Sequence, residues 1–338
     1  MFVQVVIDEY GYALRKTSER LVVRDREKKV VQEIPFFQVN DVVISSKGVS
    51  ISSDVVEKCI ENGIHIHFLS NRGEPFAKVV SPFLQATVAT RRAQIQAYND
   101  ERGVKVSKHF VRAKIRAQTS LVKYWAKNRR DKNENLQAMF QTAISNLEHK
   151  LDELEEIKGT SVDEVRGTLM SVEGRAAFAY WEVVKCLVHP DLGFQGREHR
   201  GASDPVNLAL NYGYGCLKNE ISKAVLLAGL EECAGFLHVD RSGRPSFVLD
   251  FMEEFRQPVV DRTVLSMFTK GFAPKMEEAA LHVESRRVIA QEIRERLESK
   301  DRYEGKKYQL KTIIQRQAYH LATYFRGERE YRPFVWSW

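Results

Sequence analysis

Long apolar runs, paired cysteines and, over one stretch, acidic residues are what this 338-residue sequence has least of. No run approaches the roughly 18 apolar residues that a membrane span requires, so no membrane association is expected. The amino terminus, Met1-Phe2-Val3-Gln4-Val5-Val6-Ile7-Asp8, is apolar only briefly and carries no basic leader. It is therefore expected not to be a signal peptide, and the protein is expected to be cytoplasmic. Cys59, Cys186, Cys216 and Cys233 lie far apart with no Cys-x-x-Cys spacing, which argues against a thiolate zinc knot and a disulfide framework and leaves reduced thiols. Acids are scarce between Lys105 and Lys132, where ten basic residues meet only Asp131.

What is present describes an ordinary folded protein, 43% hydrophobic and 29% charged, long enough for two domains. A net charge of +7 suits a polyanionic partner, most simply nucleic acid. Residues 1–80 read as a small antiparallel β domain resembling a β-sandwich. Its strands include Val3–Ile7, Arg20–Arg24, Lys29–Ile34 and Asp41–Ser45, each short, rich in β-branched residues and bounded by turns. A short helix over Ser53–Gly63 feeds a strand, Ile64–Leu69. His65 and His67 share one face of that strand and could bind a metal, but no Cys, Asp or Glu accompanies them at metal spacing, so strand packing is the reading adopted. Residues 81–87 form a linker, and residues 88–338 read as a larger all-α domain, giving an α+β protein.

Lys108, Arg112 and Arg116 recur every four residues, and with Lys105 they make a basic stripe suited to a phosphate backbone or, equally, a solvated helix face. The helix over Leu136–Lys158 carries Glu148, Asp152, Glu153, Glu155 and Glu156 and reads as a surface helix without chemistry. Glu173 follows in an apolar, small-residue helix, where a buried carboxylate needs a partner, either Arg175 or a metal ion. Arg175 is also a candidate DNA contact. The loop from Gly193 to Ser203, with Arg197, His199 and Arg200, suits a DNA phosphate or a plain linker. Asp204-Pro205 then caps the next helix.

The most informative stretch runs from Gly235 to Arg262. His238 closes an apolar run, and Asp250, Glu253 and Glu254 stand at i, i+3 and i+4 of an expected helix, on one side of it. Two readings fit: half of a metal site, or a core histidine followed by an acidic first turn.

Glu173-Gly174-Arg175, Asp204-Pro205-Val206-Asn207, Gly235-Phe236-Leu237-His238 and Leu249-Asp250-Phe251-Met252-Glu253-Glu254-Phe255-Arg256 occur in this order, continued by Val260-Asp261-Arg262 and Tyr331-Arg332-Pro333-Phe334. In this order and spacing the chain resembles the Cas1 family, the integrases of CRISPR adaptation. The resemblance implies a β domain joined to a helical catalytic domain, a homodimer formed largely through the β domains, and assembly with a Cas2 dimer. It implies metal-dependent insertion of short double-stranded DNA fragments into a repeat array. The family's metal ligands fall on Glu173, His238 and Glu253, with Asp250 as a supporting acid and Glu254 as the rival third ligand. Two carboxylates and one imidazole suit Mn2+ or Mg2+. The alternatives are a transposon-borne integrase with the same catalytic unit and a non-enzymatic architectural DNA-binding protein working through the Lys105–Lys132 face.

Overall fold

Short β-branched runs broken by glycine and charged turns build the first of two units, residues 1–85, in a computed structural model of the chain; the second spans residues 86–338. The structure describes residues 3–70, 75–79, 88–128, 134–199 and 201–337, so the expected linker over 81–87 lies outside the described residues.

In chain order the first unit contains β1 (Val3–Ile7), β2 (Ala13–Thr17), β3 (Arg20–Arg24), β4 (Val30–Pro35), β5 (Val39–Ile44), β6 (Ser50–Ile51), α1 (Ser53–Glu61), β7 (His65–Leu69) and β8 (Pro75–Val79). These strands make two four-stranded sheets, ordered β1-β5-β7-β8 and β4-β3-β2-β6. Val5, Val42 and Ile66 of the first sheet and Leu14, Leu21 and Val23 of the second share one apolar core, the sandwich-like arrangement expected. The purely antiparallel expectation is corrected, because β1 with β5, β5 with β7 and β2 with β6 run parallel. Parallel neighbours need a crossover. Between β5 and β7, α1 lies within that connection and buries Val55 and Cys59.

The second unit is mainly helical: α2 (Val88–Ala97), α3 (Glu101–Asn128), α4 (Glu134–Glu156), α5 (Val162–Leu187), α6 (Pro205–Leu227), α7 (Ser246–Met252), α8 (Arg262–Thr269), α9 (Val283–Glu298) and α10 (Leu310–Phe325). The all-α expectation is corrected by two hairpins, β9 (Met276–Glu277) with β10 (Ala280–Leu281) and β11 (Lys300–Tyr303) with β12 (Lys306–Gln309). Their turns use left-handed residues, Glu278 in the first and Glu304-Gly305 in the second, a conformation that helical continuation does not allow. The chain is therefore α+β, with a β unit followed by a helical one.

Helix α3 packs against α4 and α5. One side of it buries Phe110, Val111, Ile115, Leu121 and Val122. In α6, Gly213 is required by close approach, because a Cβ there would lie 2.8 Å from Val260 Cγ1. The aromatic carboxyl-terminal segment docks on the same core. Phe334 stacks on Phe255 with ring centroids 5.5 Å apart, Arg262 covers the Trp336 ring, and Gln317 donates to the Arg332 carbonyl at 3.0 Å.

His109 of α3 lies edge-on to Tyr331 of that segment and within 3.0 Å of an Arg112 nitrogen. Burial first, and then the Arg112 charge, pull its pKa down to about 4. A depressed histidine contributes stability that is present above its unfolded pKa, near 6.5, and lost as pH falls toward 4, because the unfolded chain takes the proton first. His109→Gln should remove a pH-dependent contribution on the order of 2 kcal/mol. Urea midpoints compared between pH 7.5 and 4.5 measure it: the wild type should lose more stability over that interval than the variant, and parallel pH profiles would refute the assignment.

Candidate metal-binding active site

The three carboxylates expected on one side of a helix are instead dealt to three directions, because α7 ends at Met252, leaving Asp250 on the helix and placing Glu253 and Glu254 in the turn over Glu253–Phe255; a π-helical segment, Arg256–Asp261, follows. Asp250, still on α7, turns toward the loop that precedes it. Its Oδ2 accepts the backbone N–H of Phe236 at 2.6 Å and Leu237 at 3.0 Å, and its Oδ1 accepts the backbone N–H of His238 at 2.9 Å. The same Oδ1 lies 2.6 Å from His238 Nδ1. A carboxylate already serving as acceptor for three N–H groups takes the Nδ1 proton as well, which fixes the ring and leaves Nε2 with its lone pair. Gly235 permits this loop, since a Cβ there would lie 2.5 Å from Ser246 Cβ and 2.9 Å from the His238 carbonyl oxygen. Arg166 of α5 steadies it by donating to the Phe236 carbonyl at 3.0 Å.

Glu253 faces a cavity of about 250 Å³ that is also lined by Lys114, Glu173, Arg197, His238 and Arg256. Here α3, α5, the Gly235–His238 loop and the turn after α7 converge. Glu173, midway along α5, is ion-paired with Lys114 of α3, whose Nζ also lies 2.7 Å from Glu253 Oε2. One ammonium thus bridges the two carboxylates. Burial works to neutralise Lys114, but Glu253 and Glu173 outweigh it and raise its pKa, so the ammonium stays charged. Burial likewise opposes ionisation of Glu253, yet Arg256, at 2.9 Å from Oε1, together with Lys114 and His238, pulls its pKa down to about 2. Arg256 lies over the Tyr214 ring, and the Tyr180 and Tyr214 hydroxyls both donate to buried Asp261.

Glu254 points the other way. It is fully buried, its Oε1 accepting from the Tyr331 hydroxyl and its Oε2 from Phe334 N–H at 3.0 Å. Burial pushes its pKa up to about 8, so it carries a proton near neutral pH. As a rival ligand or supporting acid of this cavity, Glu254 is corrected: it anchors the carboxyl-terminal segment.

Of the two partners expected for Glu173, Arg175 is corrected. Arg175 is exposed and pairs with Glu153 of α4 at 2.7 Å, while Lys114 holds Glu173. The basic stripe is engaged within the chain. Lys108 donates to the carbonyls of Glu155 and Ile157 at 3.1 and 3.0 Å, where the end of α4 leaves acceptors unpaired, and Arg112 donates to Glu155 at 2.8 Å. Lys105 is exposed beside Glu101, and Arg116 is exposed. The acidic α4, read as a surface helix without chemistry, thereby neutralises much of the stripe. Arg197 is half-buried and engaged within the chain: it donates to Asn207 Oδ1 at 2.9 Å and Asn211 Oδ1 at 2.6 Å and lies over Tyr214 at 5.2 Å. Arg200 lies outside the described residues.

Lys114 and Arg256 are the charged side chains of the cavity that local reading missed. A signal existed for Lys114: it stands two residues from Arg112, about 200° around the helix from the stripe, at helical spacing from buried Val111 and Gln118. A cation on a buried helix side calls for a carboxylate.

The chain is similar to known proteins in both sequence and fold. The family model described as CRISPR associated protein Cas1 matches residues 5–295. The CRISPR-associated endonuclease Cas1 1 of Archaeoglobus fulgidus is 35% identical over 347 residues, covering 99% of this chain and all of that protein. A protein of the same description from Francisella tularensis subsp. novicida is 34% identical and covers 99% of both chains. In three dimensions the fold is similar to that of a casposase bound to its integration product, with a TM-score of 0.84 and 23% identity over 99% of this chain and 93% of that one.

Proposed function

This chain belongs to the Cas1 family of CRISPR-associated proteins, and from that premise we propose that it is a metal-dependent DNA endonuclease and integrase that inserts short DNA fragments into a CRISPR repeat array. The observation that carries the reading is the convergence of Glu173, Glu253 and His238 on one cavity, with a single cationic group, the Lys114 ammonium, between the two carboxylates. That ammonium is a stand-in for a metal ion. The donor set fits Mn2+ or Mg2+: two carboxylates supply oxygen, and one imidazole has its second nitrogen committed to Asp250. Thiolate, the usual mark of a structural zinc site, is missing from the residues lining this cavity.

When bound, a divalent ion supplies Lewis acidity toward the scissile phosphate and charge stabilisation for the leaving 3′ oxygen. The chain's own residues prepare the rest. Asp250 holds the His238 ring with Nε2 outward. Arg256 keeps Glu253 anionic and locked in one rotamer. Arg197, half-buried on the cavity wall, offers a cation to a DNA phosphate oxygen. In strand transfer the 3′-hydroxyl of the fragment attacks the phosphodiester and a 3′-hydroxyl leaves, so the number of phosphodiester bonds is unchanged; water as nucleophile gives cleavage.

The partners in this reading are double-stranded DNA, as fragment and as repeat array, a second copy of the chain, and a Cas2 dimer. An architectural role through the α3 stripe is disfavoured because Lys108 and Arg112 are occupied by α4. The deciding assay supplies fragment DNA and a supercoiled repeat-bearing plasmid, with Mn2+ or with EDTA. Insertion should appear only with the ion. DNA binding that proceeds without any cleavage or insertion under Mn2+ would overturn the proposal.

A further inference from the structure

Away from the cavity, the β unit gathers a second set of metal-type donors that sequence spacing did not reveal. Strands β5 and β7 pair in parallel with Asp41 opposite His65 and Val43 opposite His67. Side chains alternate along a strand, so Val42 and Ile66 enter the apolar core while Asp41, His65 and His67 come together on the other face of the sheet. All three are buried, at 3%, 1% and 4% exposure. One ligand-type atom from each lies within 4.8 Å of the others. An ion centred among three atoms so spaced stands no more than about 2.8 Å from each, so each donor needs to close by under about 1 Å to reach a metal–ligand bond of about 2.0–2.2 Å.

We propose that Asp41, His65 and His67 form a second metal site, for a borderline transition ion such as Zn2+ or Co2+, that ties β5 to β7. The donors set the class of ion. Two imidazoles and one carboxylate favour nitrogen-seeking ions over Mg2+ or Ca2+, which prefer all-oxygen shells. The site joins strands separated by α1, so binding adds to the stability of the β unit. It shares no residue with the Glu173, His238 and Glu253 constellation and stands or falls independently of it.

The full-length chain carrying His238→Asn, stripped with chelator and dialysed, is titrated with Zn2+. One tight equivalent and a raised melting temperature are expected. Adding His67→Asn or Asp41→Asn should weaken that binding by more than about 100-fold, since even outer-shell partners of a metal ligand cost 10–100-fold. No tight equivalent in the His238→Asn protein, or the same equivalent retained in both double variants, overturns the site. Should the double variants fail to fold, zinc-edge X-ray absorption of the His238→Asn protein with one equivalent decides. Two imidazoles and an oxygen donor are expected, and a shell holding fewer than two imidazoles overturns it.

Discussion

Glu253→Gln should lower fragment insertion by at least about 100-fold, while Glu254→Gln should leave it within about threefold, although the two residues are adjacent and chemically identical. The difference is one of direction and protonation. Glu253 lies in the cavity with its carboxylate pinned by Arg256 and Lys114, and its low pKa keeps it an anion at any working pH. Losing that charge removes a proposed ligand and leaves Arg256 and Lys114 with less to neutralise them. Glu254 holds a proton near neutral pH and spends its oxygens on Tyr331 and Phe334. A glutamine is its neutral isostere and can still meet both groups through one oxygen and one amide, so the carboxyl-terminal segment stays docked. Insertion assays on both variants, with circular dichroism to confirm folding, measure this. Equal losses in the two variants would remove the distinction, and a fully active Glu253→Gln protein would remove Glu253 from the chemistry.

Lys114→Met should destabilise the metal-free protein by about 3 kcal/mol and make its stability depend on Mn2+. Removing one partner from a buried ion pair typically costs about 3–5 kcal/mol, because the remaining charge loses its compensation in a medium that solvates it poorly. The lower end applies here, since Arg256 still serves Glu253. For a unit of this size that loss corresponds to a fall in melting temperature of roughly 6–12 °C. An ion present at a hundred times its dissociation constant contributes about 2.7 kcal/mol, nearly what the ammonium supplied. The Mn2+-induced rise in melting temperature should therefore be larger in Lys114→Met than in the wild type, where the ion has to displace a resident cation. Thermal unfolding of both proteins, with EDTA and with Mn2+, checks this. An apoprotein variant as stable as wild type, or equal gains from Mn2+, would contradict the view of Lys114 as the ion's stand-in.

The same electrostatic logic explains why the α3 stripe misleads when read alone. Lys108 and Arg112 do recur on one helix side, but the carboxyl-terminal end of α4 brings both acidic side chains and unpaired carbonyls to that side. Lys108 is partly buried there, and burial depresses its pKa while Glu155 opposes the shift. A run of charge reports only that a helix side is polar. Whether it faces solvent, DNA or another helix depends on what packs beside it.

Much of the architecture was legible from local pattern. The β-to-α division, β1, β3, β4, β5, β7 and α1, and the Asp204 cap follow from periodicity, turn residues and composition, all of which act over a few neighbours. Sheet direction did not follow, because parallel or antiparallel pairing is settled by the path of the connection and leaves little trace in the strands themselves. The two hairpins in the helical unit were hidden by charged sequences that suit a solvated helix equally well.

At the site, sequence alone determined which residue types were available and in what order: a carboxylate in an apolar helix at Glu173, a histidine closing an apolar run at His238, and acids at Asp250, Glu253 and Glu254. Tertiary structure decided what each one does. The end of α7 at Met252 and the turn over Glu253–Phe255 sent Asp250 to the His238 ring, Glu253 to the cavity and Glu254 to the carboxyl-terminal segment. Long-range packing brought Lys114 between two carboxylates that lie 59 and 139 residues away in the chain. The physical reason is that the energy of a charge is set by the few ångströms around it, and those neighbours come from chain segments that no local pattern connects.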